Sequence, residues 1–245
     1  MAEARAVEPG HQADWVLPAE NDGWVLSHNA LRLDLKDFDR LLVALRSQLA
    51  AGKPLEAWQA DAIRRYWKQA VHMLVVHHDS EEELYFPLMR TKFPVDAHQT
   101  SDHVKIVKQV EGVGQDLEAL LTAQGVEGQL THFRPLQDDF ARFKQLCEEH
   151  FREEEEVTLP ALRHHFTPAE VQPVAKKISK MYSLLDMGNY LRPMSHEERV
   201  AWMTRVKMPT FVQWLMLAQC RRYDRNVMRP FEAAIKGEQP GWSLF

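Results

Sequence analysis

Four long stretches of the sequence repeat apolar residues at steps of three and four, which is the period of one helix face. They span, approximately, residues 27–51, 55–89, 99–123 and 129–165. The segments AGKP, TKFPVD and QGVEG separate them, and glycine and proline at such places end helices. Only ten glycines occur in 245 residues, while leucine, alanine, glutamate and arginine are frequent. The sequence therefore predicts an all-α fold.

Three side chains carry the signal of a helix start. Ser27 opens the first long stretch and is a typical N-cap residue. Thr167 followed by Pro168 matches an N-cap and the first helical position. Ser195 begins the sequence Ser-His-Glu-Glu, which has the pattern of a capping box. We expect helices to begin at these three places.

The chain divides into three predicted parts. Residues 1–22 mix proline, glycine, aspartate and tryptophan without a period, and we expect a lead-in segment packed down by Trp15 and Trp24. Residues 23–166 contain the four long stretches. Residues 167–245 hold three or four shorter helical patterns rich in methionine and tryptophan. We expect this last part to form a C-terminal helical extension that packs on the four long helices.

The composition excludes several classes of protein. A formal net charge of −5 offers no basic surface for nucleic acid. The N-terminal residues lack the apolar run of a secretory signal, and no apolar run is long enough to span a bilayer. Two cysteines, Cys147 and Cys220, provide no disulfide framework and favour a reducing compartment. We expect a soluble, cytoplasmic protein without nucleic-acid or membrane partners, and import into an organelle stays open.

Each of the four long stretches carries a histidine within its apolar stripe. His28 and His103 hold this place in the first and third stretches. In the second stretch, steps of three and four read Leu74, His77, Glu81, Leu84, Leu88. In the fourth, the same steps read Phe143, Cys147, His150, Glu154, Val157, Ala161. Histidine and glutamate therefore interrupt two stripes that are otherwise apolar or small.

The second and fourth stretches also share a motif. HHDSEEELYFP at residues 77–87 and HFREEEEVTLP at residues 150–160 have the same spacing of histidine, glutamate and proline. Each of the four stripe histidines lies about 24 residues from the turn, AGKP or QGVEG, that joins its stretch to a neighbour. At a rise of about 1.5 Å per residue, all four histidines lie near one end of the helices. We infer a duplicated helical hairpin that brings four histidines and two glutamates together.

Such a set favours a metal site. An unpaired carboxylate in a core shifts its pKa or costs several kcal/mol, and a cation removes that cost. Imidazole with carboxylate suits iron, manganese, zinc or nickel better than calcium or magnesium. Two glutamates able to bridge, with histidines as terminal ligands, suit a dinuclear site. The alternative is a polar layer in which glutamate and histidine bond to each other without a metal.

The residues resemble the hemerythrin-like (HHE cation-binding) domain over about residues 22–165. The matching stretches are SHNALRLDL, HHDSEEELYFPLM, DHVKIVKQV and HFREEEEVTLPAL. The resemblance implies an up-and-down four-helix bundle with a non-haem di-iron centre, two irons per chain, bridged by oxo or carboxylate groups. Carried over to this sequence, the implied metal ligands are His28, His77, Glu81, His103, His150 and Glu154.

Two positions depart from the oxygen-carrying members of the family. Those members place a second histidine four residues after the third-helix one, where this sequence has Val107. Their fourth-helix acid is an aspartate five residues after its histidine, whereas here the helical phase favours Glu154. The departures place the sequence with the divergent sensing and regulatory members rather than with reversible oxygen carriers.

His78 is a candidate for a seventh ligand, because some relatives have a carboxylate directly after the second-helix histidine. An alternative pairs His78 with Glu82 in place of His77 with Glu81; we prefer His77, because Pro87 then matches Pro160. Glu155 could also approach the metal.

Three functions fit these features. The first is a di-iron protein that senses or reacts with O2, peroxide, nitric oxide or iron. The second is a di-iron oxidoreductase that turns over peroxide or O2. The third is an interaction module with a structural metal, whose C-terminal helices bind a protein partner. The sequence leaves open whether the protein is an enzyme.

Overall fold

The computed structural model describes residues 10–239, and within that range the secondary structure is entirely helical. The first nine residues of the predicted lead-in segment and the last six of the predicted extension lie outside the described residues. Two short 3-10 turns, His11–Asp14 and Ala19–Asn21, precede the first long helix. The expectation of an all-α fold is confirmed.

Between residues 22 and 239, eight helices follow, and three of them pass through a π-helical turn. The four long ones are α1 (Gly23–Ala50), α2 (Ala57–Ser80, then a π turn Glu81–Tyr85 and Phe86–Met89), α3 (Ala97–Thr122) and α4 (Gly125–Glu153, then a π turn Glu154–Thr158 and Leu159–His165). The four shorter ones are α5 (Pro168–Ile178), α6 (Leu184–Tyr190), α7 (His196–Arg205) and α8 (Thr210–Tyr223, then a π turn Asp224–Met228 and Arg229–Lys236).

Two of the three predicted helix starts are confirmed. The hydroxyls of Thr167 and Ser195 accept from backbone N–H groups in complete capping boxes at the starts of α5 and α7. The prediction for Ser27 is wrong, because α1 begins one turn earlier with Asp22 as its cap. Asp22 accepts a hydrogen bond from the N–H of Trp24, while the Ser27 hydroxyl donates back to the Gly23 carbonyl. A serine inside a helix satisfies its hydroxyl in this way.

Each π turn is followed closely by a proline. Pro87, Pro160 and Pro230 each occupy the second position after their π turn. Proline has no N–H and clashes with the carbonyl four residues earlier. A locally widened turn accommodates it and keeps the helix continuous.

The π turns also correct two sequence expectations. Each turn adds a residue to the helical cycle, so the inward-facing positions beyond it shift. Phe86 and Met89 are buried after the first π turn, instead of Leu84 and Leu88 as the uninterrupted stripe predicts. In α4 the shift leaves Val157 exposed at 60%.

The four long helices share one apolar core. α1 contacts α2 and α4, α2 contacts α3, and α3 packs along α4. Residues from all four meet there, among them Phe38, Ile63, Val110 and Phe140. No helix within residues 10–239 combines the length and the apolar character needed to cross a bilayer.

The C-terminal helices continue the same core. Tyr223 and Phe231 of α8 are buried among the residues of α1 and α2. The ring of Phe231 stacks on Tyr66 with 3.7 Å between the ring centroids. Stacked rings of this size bury a large apolar area. The extension therefore contributes to the hydrophobic core as well as to the surface.

A buried polar cluster also joins the extension to α1. The Arg192 guanidinium pairs with both Asp34 and Asp37, all of which are largely inaccessible to solvent. Asp34 further accepts hydrogen bonds from the Asn189 amide at 2.7 Å and the Tyr66 hydroxyl at 3.1 Å. A buried carboxylate needs such partners, because an unpaired charge in a core is costly.

We expect Arg192→Met to lower the free energy of unfolding by about 3–5 kcal/mol, because it leaves the buried Asp34 carboxylate without its counter-charge. Asp37 keeps Arg40 as a partner at 2.8 Å. Urea denaturation of the metal-free chain measures the change. The matched control is Arg64→Met, whose partner Glu118 is 52% exposed. That exposed pair is worth less than about 1 kcal/mol. Equal losses in the two variants would contradict the prediction.

Candidate metal centre

All six residues that the sequence analysis selected lie together at one level of the four long helices. α1 carries His28, α2 carries His77 and Glu81, and α3 carries His103. α4 carries His150 and Glu154. None of the six residues is more than 4% exposed: His28, His77, Glu81, His103, His150 and Glu154. The predicted convergence of the four helices is therefore present in the structure.

The side chains form two overlapping groups whose ligand atoms lie within 4.8 Å of one another. The first group, which we call the two-histidine group, consists of His28, His77, Glu81 and Glu154. The second, the three-histidine group, consists of His78, Glu81, His103 and His150. Glu81 belongs to both groups.

Short distances connect the two groups through the carboxylates. Glu81 Oε1 lies 3.2 Å from His77 Nε2, and its Oε2 lies 3.3 Å from His103 Nε2. Glu154 Oε2 lies 3.1 Å from His28 Nε2 and 3.6 Å from His150 Nε2. Glu81 therefore directs one oxygen at a histidine of each group. A single oxygen of Glu154 lies near one histidine of each group. The arrangement allows both carboxylates to lie between two cations.

The structure places both His77 and His78 among the buried candidate ligands. The sequence posed His77 with Glu81 and His78 with Glu82 as alternative pairs, yet both histidines are buried and each serves a different group. Consecutive helical residues point about 100° apart, which suits two adjacent positions on one helix. The His78 ring stacks on His103 with 4.2 Å between the ring centroids. His78 thus adds a third imidazole to the group that contains His103 and His150.

Buried polar atoms without partners show that the site fits a cation. Within the described part of the chain, no hydrogen bond reaches Nε2 of His28 or His77, either nitrogen of His78, or either oxygen of Glu81. Oε1 of Glu154 is also unpaired. Buried polar groups almost always have a hydrogen-bond partner, and leaving one unsatisfied costs about 1–3 kcal/mol. Imidazole nitrogens and carboxylate oxygens that converge without pairing are the donors that a transition-metal cation takes.

Burial sets the protonation of these groups. It lowers the pKa of His28, His77 and His78 well below the usual range, and the neighbouring histidines, with Arg32 beside His28, act in the same direction. It raises the pKa of Glu81 and Glu154 well above the usual range. The imidazoles are therefore neutral at neutral pH and keep a lone pair for a cation. The charge of Glu82 raises the pKa of Glu81 further, and the charge of Glu81 does the same to Glu154.

Two further glutamates hold the histidine rings from outside. Glu155 Oε1 lies 2.7 Å from Nδ1 of His28, and Glu82 Oε1 lies 2.8 Å from Nδ1 of His103. Arg32 donates two hydrogen bonds to Glu155 and holds it in place. A carboxylate on Nδ1 fixes the ring and directs Nε2 at the centre.

Sequence reasoning did not identify this role for Glu82, and it considered Glu155 only as a residue near the metal. Both follow their inner glutamate directly, at the same offset in the two copies of the motif. That shared offset is the signal that could have found them. Trp24 has a further role that was missed, because its indole N–H donates to Glu154 at 3.3 Å.

Other candidate residues lie away from the two groups. Both cysteines are buried free thiols in the described part of the chain, and Cys147 lies in the apolar core one turn before His150. A third set of possible ligands, His98, Asp102 and Glu153, is half-buried at the surface. There the His98 ring already lies between two carboxylates, 2.5 Å from Glu153 and 2.9 Å from Asp96. These residues do not add to the buried centre.

We expect Glu81→Met to raise the free energy of unfolding of the metal-free chain by about 1–3 kcal/mol, because it replaces a buried, unpaired carboxyl with an apolar group of similar length. Denaturation in the presence of a chelator at neutral pH measures the change. Glu83→Met is the matched control, because Glu83 lies on the same π turn and is exposed. A destabilised Glu81→Met chain would show that Glu81 has partners in the metal-free state.

Comparison with known proteins agrees with this geometry. The family model described as the hemerythrin HHE cation binding domain matches residues 21–174, which is more than half of the chain. The match contains every residue of both buried groups. The searches of curated proteins and of solved structures gave no match.

Proposed function

From the premise that the chain belongs to the hemerythrin HHE cation-binding domain family, we propose that it binds two iron ions and senses or reacts with O2, peroxide, nitric oxide or iron. The family supports cation binding in general. The identity of the metal, its number and its reaction are our proposal. His28, His77, His78, His103 and His150 would be terminal ligands, and Glu81 and Glu154 would bridge.

One observation carries the proposal. Two groups of buried donors overlap at Glu81, and most of their ligand atoms have no other partner among residues 10–239. A single cation would leave the donors of one group unsatisfied, since each group already contains four ligand residues. Imidazole and carboxylate together suit iron, although manganese and zinc take the same donors.

The two groups differ in their supply of nitrogen. One has His28 and His77, and the other has His78, His103 and His150. Two bound irons would supply electrons and open positions for a small oxidant or for nitric oxide. The side with fewer protein nitrogens is the one we expect to accept that ligand.

The surrounding residues maintain this arrangement. Arg32 and Glu155 hold the His28 ring, and Glu82 holds the His103 ring. Trp24 donates to Glu154 and restrains its carboxylate. Because these side chains are already held in place, binding a cation would cost less side-chain entropy.

The proposal includes an architecture. Residues 23–166 would form an up-and-down four-helix bundle of the hemerythrin type, and residues 167–245 a C-terminal helical extension packed on it. The contacts of α1 with α2 and α4, and of α3 with α2 and α4, support such a bundle. We also retain a cytoplasmic location as a prediction from the composition.

Metal analysis tests the proposal. We expect about two irons per chain after anaerobic loading with ferrous iron, and stabilisation of about 4 kcal/mol per bound iron when free metal is a thousandfold above its Kd. His78→Ala should lower the content to about one iron per chain, because it removes a nitrogen from one group only. His72→Ala is the control, because His72 bonds Asp186 away from the centre.

Three outcomes separate the alternatives. A chain that takes up no metal under these conditions would contradict the proposal and leave a polar layer in the core. Repeated turnover of peroxide that Glu81→Ala abolishes would identify an oxidoreductase. A reaction that stops after one equivalent would support a sensing role.

A second candidate function is protein association through α8. Phe211 and Trp214 are each 77% exposed, and Leu215 is 42% exposed beside them. They lie at helical spacing of three and four, so they form one apolar face. Such faces mark interaction sites, and a second copy of the same chain is the commonest partner.

We expect Phe211→Ser with Trp214→Ser to abolish self-association and leave the iron content unchanged. Sedimentation velocity over a range of concentrations measures the association. Val43→Ser is the control, because Val43 is 68% exposed elsewhere on the surface. An unmodified chain that stays monomeric at all concentrations would remove this candidate.

A further inference from the structure

A cavity of about 210 Å³ lies directly beside His77 and Glu81, where the C-terminal helices cover the long ones. Ala175 lies in α5 and Ser179 directly follows that helix. Both residues line the cavity and are exposed, so the cavity opens to solvent there. We call it the aromatic cavity, because five aromatic residues line it: Trp24, Tyr85, Tyr182, Tyr190 and Trp202.

The volume limits what the aromatic cavity holds. An apolar cavity of about 150 Å³ binds benzene, whereas pockets for drug-sized ligands measure about 300–1,000 Å³. The aromatic cavity, at about 210 Å³, lies between these sizes. It therefore accommodates one six-membered ring with one or two small substituents.

The lining favours a flat aromatic ring. Trp24 and Tyr85 stack with 4.7 Å between their ring centroids, and Tyr190 and Trp202 are tilted with 5.7 Å between theirs. Ring faces and edges of this kind attract another ring in an offset or edge-to-face arrangement. A saturated ring of the same size would gain the apolar burial but not this geometry.

Few polar groups are free to meet a ligand. The Ser27 hydroxyl donates to the Gly23 carbonyl, and the Ser80 hydroxyl donates to the His77 carbonyl at 2.7 Å. The Ser179 hydroxyl likewise donates to the Lys176 carbonyl. The remaining polar side-chain groups are the tyrosine hydroxyls, the indole N–H groups of Trp24 and Trp202, and the metal-binding side chains themselves. A ligand with many polar atoms would lose its hydration without replacement. One or two hydroxyl groups are the most that this lining satisfies.

We propose that the aromatic cavity binds a single-ring phenol or hydroquinone beside the two-histidine group. This inference rests on the proposed function for its placement next to a metal, and the shape and lining of the cavity carry the choice of ligand. His77 and Glu81 form its inner wall, on the side of the centre with fewer histidines. The extension would thereby complete an organic ligand site that the four long helices alone do not enclose.

Equilibrium dialysis of the iron-loaded full chain against phenol tests the proposal, with cyclohexanol as the saturated ring of similar size. Iron per chain is measured in the same samples. We expect saturable binding of phenol that is at least about tenfold tighter than that of cyclohexanol, a difference of about 1.4 kcal/mol.

Two substitutions at the opening check the location. Ala175→Trp and Ile178→Trp place an indole at the cavity wall, and each should weaken phenol binding by about tenfold or more. Lys176→Trp is the matched control, because Lys176 lies on the same helix, is exposed and does not line the cavity. It should leave phenol binding unchanged.

The outcomes separate this inference from the metal proposal. Iron-loaded chain that binds phenol no better than cyclohexanol overturns the aromatic site and leaves the metal centre intact. Phenol binding that Ala175→Trp and Lys176→Trp weaken equally also overturns it. Phenol binding that depends on Ala175 in a chain that takes up no iron after loading supports the aromatic site, while the missing iron contradicts the proposed metal function. The comparison of phenol with cyclohexanol needs no variant, so it holds even where a substitution disturbs folding.

Discussion

Five histidines and two glutamates buried in the middle of an apolar core are the constraint on which the rest of the structure depends. They are almost fully buried, and most of their inward atoms have no partner in the described part of the chain. A core tolerates such a set only when something compensates the lost hydration, and a cation does so for nitrogen and oxygen donors alike. Membership of a cation-binding family agrees with that requirement. The stability of the core and the occupancy of the site are therefore linked.

The local structure around the centre serves this constraint. The π turns begin at Glu81 and at Glu154, where the helix must direct a carboxylate inward and still continue past a proline. π turns are frequent at functional sites, because they redirect side chains without ending the helix. Glu82 and Glu155, which directly follow Glu81 and Glu154, each contact a histidine ring on the side that faces away from the centre. Each copy of the short motif thus supplies an inner glutamate and an outer support, one in α2 and one in α4.

The C-terminal helices also surround the centre, because they pack on the long helices that carry it. Arg192 anchors them to α1 through buried carboxylates, and Phe231 stacks on Tyr66 in the core. With these contacts in place, aromatic residues of the extension come to lie beside His77 and Glu81. A region that is only a run of methionines and tryptophans in the sequence becomes one wall of a cavity next to the candidate metal centre.

The sequence by itself determined the helical class, the four long helices and the convergence of His28, His77, Glu81, His103, His150 and Glu154. Helical period, turn residues and equal distance from the turns are local properties, so they can be counted along a chain. Only the tertiary structure decided that His78 enters beside His77, that Glu82 and Glu155 hold the rings, and that Val157 faces solvent. The π turns shift the helical phase after each motif, and a constant period does not contain that shift. The cavity also depended on the fold, because its walls come from helices more than one hundred residues apart in the chain.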